Sequence, residues 1–103
     1  DAFRQEWRGT CFMNPPYDRN IYRWIEKAFN EAYYGALVVC LVPSRTDTQW
    51  WHKFCMKGEI RFIKGRVHFI GGEHNAPFPS AIVIFRPQRL AQRKIMERSG
   101  RLL

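Results

Sequence analysis

Apolar residues form three short continuous stretches and one helical repeat, and this pattern predicts most of the secondary structure. Residues 11–13, 36–42 and 81–85 are apolar runs typical of buried β-strands, and the first strand is predicted over residues 10–13. The second run is rich in β-branched residues and predicts a parallel strand covered on both faces. Over residues 19–34 the apolar positions recur on one helical face, with Asp18 as the expected N-cap and Gly35 as the stop.

The remainder of the chain adds weaker elements. Thr46 and Gln49 fit a capping box for a helix that runs to about residue 57. Residues 59–69 predict either two short strands joined at Lys64-Gly65 or one strand that runs into a loop. A long loop over residues 71–80 and a basic helix over residues 88–98 follow. The order of strands and helices predicts an α/β layer structure.

The chain of 103 residues predicts one domain: a lead-in (1–9), an α/β core (10–87) and a basic C-terminal segment (88–103). A net charge of +8 favours a polyanionic partner, although a solvated cationic surface also explains it. No apolar run approaches the about 20 residues of a membrane span. The three cysteines, Cys11, Cys40 and Cys55, are odd in number and isolated in the sequence. This pattern favours reduced thiols in a cytoplasmic protein. The scattered histidines predict no metal site.

The stretch Asn14-Pro15-Pro16-Tyr17 directly follows the first predicted strand. Proline lacks an N–H and has a fixed φ, so the strand must stop there with a stiff exit. The Asn14 side-chain oxygen and the Pro15 carbonyl could each accept one hydrogen of an amine. Tyr17 could stack on a planar base, which would have to be flipped out of a duplex. An ordinary turn is the alternative, but a position between a buried strand and a helix favours a binding site.

Asn14-Pro15-Pro16-Tyr17 matches the catalytic motif of the amino methyltransferases that modify adenine in DNA. Four segments occur in an order that resembles the phage-encoded DNA adenine methyltransferases: Phe12-Met13-Asn14-Pro15-Pro16-Tyr17, Val42-Pro43-Ser44-Arg45-Thr46-Asp47-Thr48, Phe62-Ile63-Lys64-Gly65-Arg66 and Ala76-Pro77-Phe78-Pro79-Ser80. The resemblance runs from about Trp7 to Pro87.

This resemblance implies an adenine-specific DNA methyltransferase that is encoded by a phage or prophage and acts in the bacterial cytoplasm. The methyl donor would be S-adenosylmethionine, and the catalytic residues would be Asn14, Pro15, Pro16 and Tyr17. Phe12, Met13 and Asn14 would border the methyl end of the cofactor. The chain would form the second half of a Rossmann-like sheet, because the family's main cofactor-binding strands lie upstream of this motif and only nine residues precede Thr10.

Arg45, Lys64 and Arg66 are the candidate DNA contacts, since cations among aromatic residues suit phosphate contacts and base stacking. For Asp47, a helix N-terminal role is preferred to a functional one. In half a sheet, the strand at 10–13 would have an exposed edge. We therefore expect self-association through that edge, or a longer parent protein. The alternatives to an enzyme are a non-catalytic nucleic-acid-binding remnant and an interaction module that oligomerises by the sheet edge.

Overall fold

The computed structural model describes residues 1–68 and 75–88. In this part of the chain four strands and two helices form an α/β structure, as predicted. In chain order they are β1 (Thr10–Met13), α1 (Ile21–Tyr33), β2 (Leu37–Pro43), α2 (Gln49–Lys53), β3 (Glu59–Phe62) and β4 (Ser80–Phe85), with a 3₁₀ turn (Cys55–Lys57) after α2.

The four strands form one mixed sheet in the order β1-β2-β4-β3. β1 pairs with β2 in parallel, from Thr10 opposite Leu37 to Met13 opposite Cys40. β4 lies antiparallel between β2 and β3. Because β1 and β2 are parallel neighbours joined by α1, their carboxyl ends lie at the same edge of the sheet.

One face of the sheet packs on the helices and forms the core. Val38, Cys40 and Val42 of β2 have no exposed surface, nor do Ile25 and Ala28 of α1. The apolar positions of α1 recur on one face, as predicted, and this face is buried. Trp51 in α2 and Phe54 just after it belong to the same buried core.

The opposite face of the sheet is only half-buried. The prediction that β2 is covered on both faces is therefore wrong. Leu37, Val39 and Leu41 alternate with the buried residues of β2 and are each partly exposed. Phe12 in β1 is opposite Val39 and is 80% exposed. The long apolar run in β2 therefore has one face in the core and one thinly covered face. Its neighbour β4 is antiparallel.

Both helices begin later than predicted. The Asp18 carboxylate accepts a hydrogen bond from the Asn20 N–H at 2.8 Å, in the turn before α1, and Asn20 is the N-cap. At α2 the cap is Thr48, whose hydroxyl accepts from the Trp51 N–H at 3.3 Å. Thr48 is extended and so can cap, which displaces the predicted Thr46 capping box. No helix within residues 1–68 and 75–88 is long and apolar enough to span a bilayer.

The segment after α2 is described as far as His68, and it bears on the two alternatives for residues 59–69. β3 ends at Phe62 and runs into a loop that turns at Gly65, where φ is +79°. Val67 then accepts a hydrogen bond from the Ala76 N–H at 2.7 Å, and His68 forms an isolated antiparallel bridge with Asn75. Over residues 59–68, the described part of this segment, the structure has one strand followed by a loop. The predicted C-terminal helix and part of the 71–80 loop lie outside the described residues.

The lead-in packs against α1. The rings of Phe3 and Trp24 are 4.1 Å apart between centroids. The Lys27 ammonium donates to the Gln5 carbonyl at 2.6 Å and pairs with the largely buried Glu31 carboxylate. The first residues are therefore held beside β1 and α1.

Gly58 is in close contact with β4, and a side chain there would collide with it. A Cβ at Gly58 would lie 3.0 Å from the Ile84 carbonyl oxygen and 3.0 Å from the Phe85 ring. We expect Gly58→Ala to lower the free energy of unfolding by about 1–3 kcal/mol through overpacking. Urea unfolding measures this, with Met56→Ala as the control because Met56 is 56% exposed. Equal stability of the two variants would contradict this packing.

Burial keeps two thiols protonated in the folded chain. It raises the pKa of Cys55 to about 12 and raises the pKa of Cys40 further, with the nearby Cys55 adding to the second shift. A folded pKa above the unfolded one stabilises the protein below the unfolded pKa. The free energy of unfolding should therefore fall as pH rises above about 8.5.

Urea midpoints at increasing alkaline pH test this expectation. The half-buried Cys11 provides the control. Cys11→Ser should keep the alkaline loss of stability, whereas Cys55→Ala should reduce it. A thiol reagent at about pH 8 should modify Cys11 first, because neutral buried thiols react slowly. Rapid labelling of Cys40 or Cys55 in the folded protein would be inconsistent with their burial.

Candidate active site

Asn14-Pro15-Pro16-Tyr17 lies at the carboxyl end of β1. The pairing of β1 with β2 ends at Met13, directly before these residues. Asn14 and Pro16 are exposed, Pro15 is buried and Tyr17 is half-buried. Because Pro15 and Pro16 have no N–H, they cannot continue the ladder, and the chain turns away from the sheet. The Asn14 side chain is therefore presented to solvent at the end of a strand.

The side chains of Asn14 and Tyr17 contact each other. The Tyr17 hydroxyl lies 3.4 Å from the Asn14 amide oxygen and donates a long hydrogen bond to it. Burial raises the pKa of Tyr17, so this hydroxyl stays protonated and remains a donor at neutral pH. The oxygen predicted to accept a hydrogen from an amine thus already accepts one from within the motif.

Phe78 packs against Tyr17, and sequence reasoning did not identify it as a site residue. The two ring centroids are 4.7 Å apart and the rings are inclined by 75°, an edge-to-face contact. Phe78 lies in the long loop that the sequence predicts over residues 71–80. Its position between Pro77 and Pro79 was the available signal, because an aromatic residue between two prolines is held on a stiff backbone.

Arg45 joins this group from the end of β2. Its guanidinium carbon lies 5.6 Å from the centre of the Phe78 ring, over the ring face. The Ser44 N–H donates to the Pro79 carbonyl at 2.8 Å, and this bond ties the end of β2 to the loop that carries Phe78. The structure therefore brings Arg45, Phe78 and Tyr17 together. We call these three residues the tip cluster.

The backbone of Arg45 is itself restrained. Its N–H donates to the Pro43 carbonyl at 2.8 Å. Its carbonyl accepts from the Thr48 hydroxyl at 2.7 Å and from the Thr48 N–H at 3.1 Å. Thr48 thus caps α2 and holds Arg45 at the same time, whereas Asp47 is exposed in the turn between them.

A pocket of about 370 Å³ lies beside β1 and contains Asn14 in its wall. The three residues predicted to border a cofactor, Phe12, Met13 and Asn14, all line it. Trp7 and Trp24 add two indole rings that sequence reasoning did not assign to a site. Tyr17 is not part of this wall, so Asn14 and the two prolines border the pocket while Tyr17 belongs to the tip cluster.

The other two candidate DNA contacts are exposed but separate from these residues. Lys64 and Arg66 lie in the connection between β3 and β4, on either side of Gly65. Neither has a described contact with Asn14 or Tyr17, and their role in DNA binding stays a prediction. Within residues 1–68 and 75–88, no three His, Cys, Asp or Glu side chains are grouped as metal ligands.

Comparisons with known proteins identify the family of the chain. Neither the curated proteins nor the solved structures include a significant match. A family model described as DNA N-6-adenine-methyltransferase (Dam) matches residues 1–101, which includes the strand-tip motif, Arg45 and Phe78. This match confirms the resemblance drawn from the sequence motifs. The chain belongs to the Dam family of DNA N-6-adenine-methyltransferases.

Proposed function

We propose that this chain carries the adenine-binding and methyl-transfer site of an adenine-specific DNA methyltransferase that uses S-adenosylmethionine. The observation that carries the proposal is the position of Asn14. Its amide is exposed at the end of β1, with the pocket on one side and Tyr17 within hydrogen-bond reach. An amine held by Asn14 therefore has an aromatic ring nearby and an apolar pocket beside it.

The location of the motif in the sheet supports a Rossmann-like arrangement. β1, α1 and β2 form a parallel strand-helix-strand unit, and open α/β sheets bind ligands beyond the carboxyl ends of such strands. The motif follows β1, and Arg45 follows the neighbouring strand β2. We propose that these strands are the second half of a larger Rossmann-like sheet.

Asn14 and Pro15 would act on the exocyclic amine of adenine. The Asn14 amide oxygen would accept one N–H after the Tyr17 hydroxyl releases it, and the Pro15 carbonyl would accept the other. Among the described residues, no loop or turn hydrogen bond uses the Pro15 carbonyl. With both hydrogens held, the nitrogen lone pair is directed away from them, and orientation supplies most of the catalysis.

Tyr17 would stack on the target base. Its inclined contact with Phe78 leaves at least one face of its ring uncovered by Phe78. Stacking of a base on an aromatic side chain is worth about 1–3 kcal/mol, which helps to offset the cost of unstacking the base from a duplex.

The pocket beside β1 fits the methyl end of S-adenosylmethionine. The cofactor supplies an electrophilic methyl group on a sulfonium. Trp7, Phe12 and Trp24 would exclude water, and an indole or phenyl face suits a cationic group. No carboxylate lines the pocket among the described residues, so its walls offer no charged acceptor for ribose hydroxyls. We propose that an N-terminal half or a second copy provides the remaining contacts.

Exposed cations would hold the DNA backbone. Arg45 lies in the tip cluster, and Lys64 and Arg66 lie on the connection that also carries Phe78. The net charge of +8 supports a polyanionic substrate. On the family resemblance, we also propose a phage- or prophage-encoded protein that acts in the bacterial cytoplasm, where its three unpaired cysteines would stay reduced.

Self-association is a second candidate function, which one specific observation favours. Phe12 is 80% exposed on the thinly covered face of β1, and β1 is the outer strand of the described sheet. Such an edge can pair with another chain. A copy that docks there would also lie beside the pocket.

Substitution of Asn14 tests the proposed chemistry. Asn14→Ala removes the acceptor for the amine, and we expect methyl transfer to fall by about 100-fold or more. Asn14→Asp keeps an acceptor oxygen at the same position and should retain more activity than the alanine variant. The measurement is incorporation of labelled methyl groups from S-adenosylmethionine into mixed-sequence DNA, with circular dichroism to check folding.

Calorimetric titration with S-adenosylhomocysteine provides the control for this experiment. Saturable binding by both Asn14→Ala and the unmodified chain, with loss of transfer only in the variant, supports the assignment. Equal transfer rates in Asn14→Ala and the unmodified chain would rule it out. A folded chain that binds DNA but neither binds nor uses the cofactor would instead be the non-catalytic remnant.

Light scattering over a concentration series tests the second candidate. We expect the chain to form dimers or larger species at high concentration, and Phe12→Lys to shift it towards the monomer, because a charge on an edge strand opposes pairing. Met56→Lys is the matched control, since Met56 is also exposed but lies outside the sheet. A monomer at every concentration would eliminate association through β1.

A further inference from the structure

We propose that Arg45 is a positioning residue that acts through Phe78 to fix the ring of Tyr17 before a base arrives. This inference rests on the proposed function for the role of Tyr17. It assigns Arg45 more than a phosphate contact, and it adds Phe78 to the residues that the site needs. Neither residue would touch the reacting amine.

The first step is the contact between Arg45 and Phe78. The guanidinium carbon is 5.6 Å from the Phe78 ring centre, within the range in which a cation is attracted to a ring face. Arg45 is exposed, and no described salt bridge includes it. Among the described residues, its cation thus has an aromatic partner and no carboxylate to compete for it.

The second step is the rigidity of both attachments. Arg45 is restrained by its bonds to Pro43 and Thr48, and the Ser44 N–H holds the Pro79 carbonyl at 2.8 Å. The residues next to Arg45 and Phe78 are therefore bonded to each other. This arrangement limits how far the Phe78 ring can move from the guanidinium. The weak cation–π contact between Arg45 and Phe78 can therefore form without a large cost in loop entropy.

The third step transmits the restraint to Tyr17. Phe78 contacts Tyr17 at 4.7 Å with a 75° inclination, and the Tyr17 hydroxyl reaches Asn14. Tyr17 is thus held at its ring by Phe78 and at its hydroxyl by Asn14. When an adenine amine takes the Asn14 oxygen, the hydroxyl restraint is lost. The Phe78 contact then remains to keep the ring in a stacking orientation.

Arg45 would therefore contribute in two separable ways. Its charge would attract a DNA phosphate, as the charge of Lys64 would. Its planar guanidinium over Phe78 would set the orientation of Tyr17, which Lys64 cannot do. Arg45→Lys keeps the charge but replaces the planar group by a compact ammonium. It therefore separates the effect of the charge on DNA binding from the effect of the planar group on Tyr17.

The test begins with the free protein, because the contact needs no ligand. In nuclear magnetic resonance spectra, the Phe78 ring current shifts the ring protons of Tyr17, and Phe78→Leu should remove this shift. Arg45→Gln should also move the Tyr17 ring signals, although Arg45 contacts Phe78 and not Tyr17. Lys64→Gln is the charge-matched control and should leave them in place. Unmoved Tyr17 signals in Arg45→Gln would overturn the proposal.

The second measurement uses a single-stranded oligonucleotide that contains one fluorescent aminopurine in place of adenine. This base is already unpaired and avoids most of the cost of flipping. At saturating protein, stacking on Tyr17 should quench its fluorescence, whereas binding affinity is read from anisotropy. We expect Arg45→Gln and Lys64→Gln to weaken binding similarly. Only Arg45→Gln and Phe78→Leu should reduce the stacked fraction, by about two- to fivefold.

Arg45→Lys keeps the charge and should bind more tightly than Arg45→Gln, but it should quench less than the unmodified chain. Full quenching in both Arg45→Lys and Arg45→Gln would show that Arg45 acts by charge alone and would overturn the proposal. Absence of binding or quenching by the unmodified chain would instead contradict the proposed function. The positioning role would then be decided by the Tyr17 resonances, so the two failures are distinguishable.

Discussion

The candidate site depends on the missing amide hydrogens of Pro15 and Pro16. Neither residue can donate to a sheet ladder, so β1 must end at Met13 while its neighbour β2 continues to Pro43. The longer β2 brings Ser44 and Arg45 beyond the sheet, and the shorter β1 presents Asn14 at its end. If the ladder continued through these positions, alternate side chains would point to opposite faces of the sheet, and the grouping would be lost.

The packing of the sheet on one side supports this arrangement. α1 and the residues around α2 bury the face that contains Val38, Cys40 and Val42, and this side supplies a continuous core. The other face is thinly covered, with Phe12 almost fully exposed next to the pocket. The same strand therefore joins a stable interior to a surface with unused apolar area, which is the physical basis for both the cofactor pocket and the self-association that we propose.

The two sides of Asn14 differ in chemistry. Beside β1, indole and phenyl rings form an apolar pocket without carboxylates among the described residues. On the Tyr17 side, the Phe78 ring contacts both Tyr17 and the Arg45 guanidinium, and hydrogen bonds restrain the backbone of Arg45. The methyl donor and the base that we propose would suit these two environments, since one carries a cationic sulfonium and the other is a flat ring attached to a polyanion. Asn14 is short and polar and lies between them.

The sequence alone determined the elements whose signals are local. The prolines, the amphipathic period of α1 and the apolar runs of β2 and β4 act within a few residues, and the structure has these elements close to where they were predicted. Asn14 and Tyr17 were predicted as site residues from a local signal as well, because they are three residues apart in one motif. Helix starts were less accurate: Thr46 and Thr48 are both plausible caps, and only the backbone conformation of Thr48 decides between them.

Contacts between distant residues were decided by the tertiary structure. Phe78 is 61 positions after Tyr17 in the sequence, and only the antiparallel placement of β4 beside β2 brings its loop to the end of β1. Trp7 and Trp24 enter the pocket because the lead-in packs on α1. The half-buried face of β2 was missed as well, since a strand's composition does not reveal what covers each of its faces. Burial and proximity are properties of the assembled chain, and local sequence patterns do not contain them.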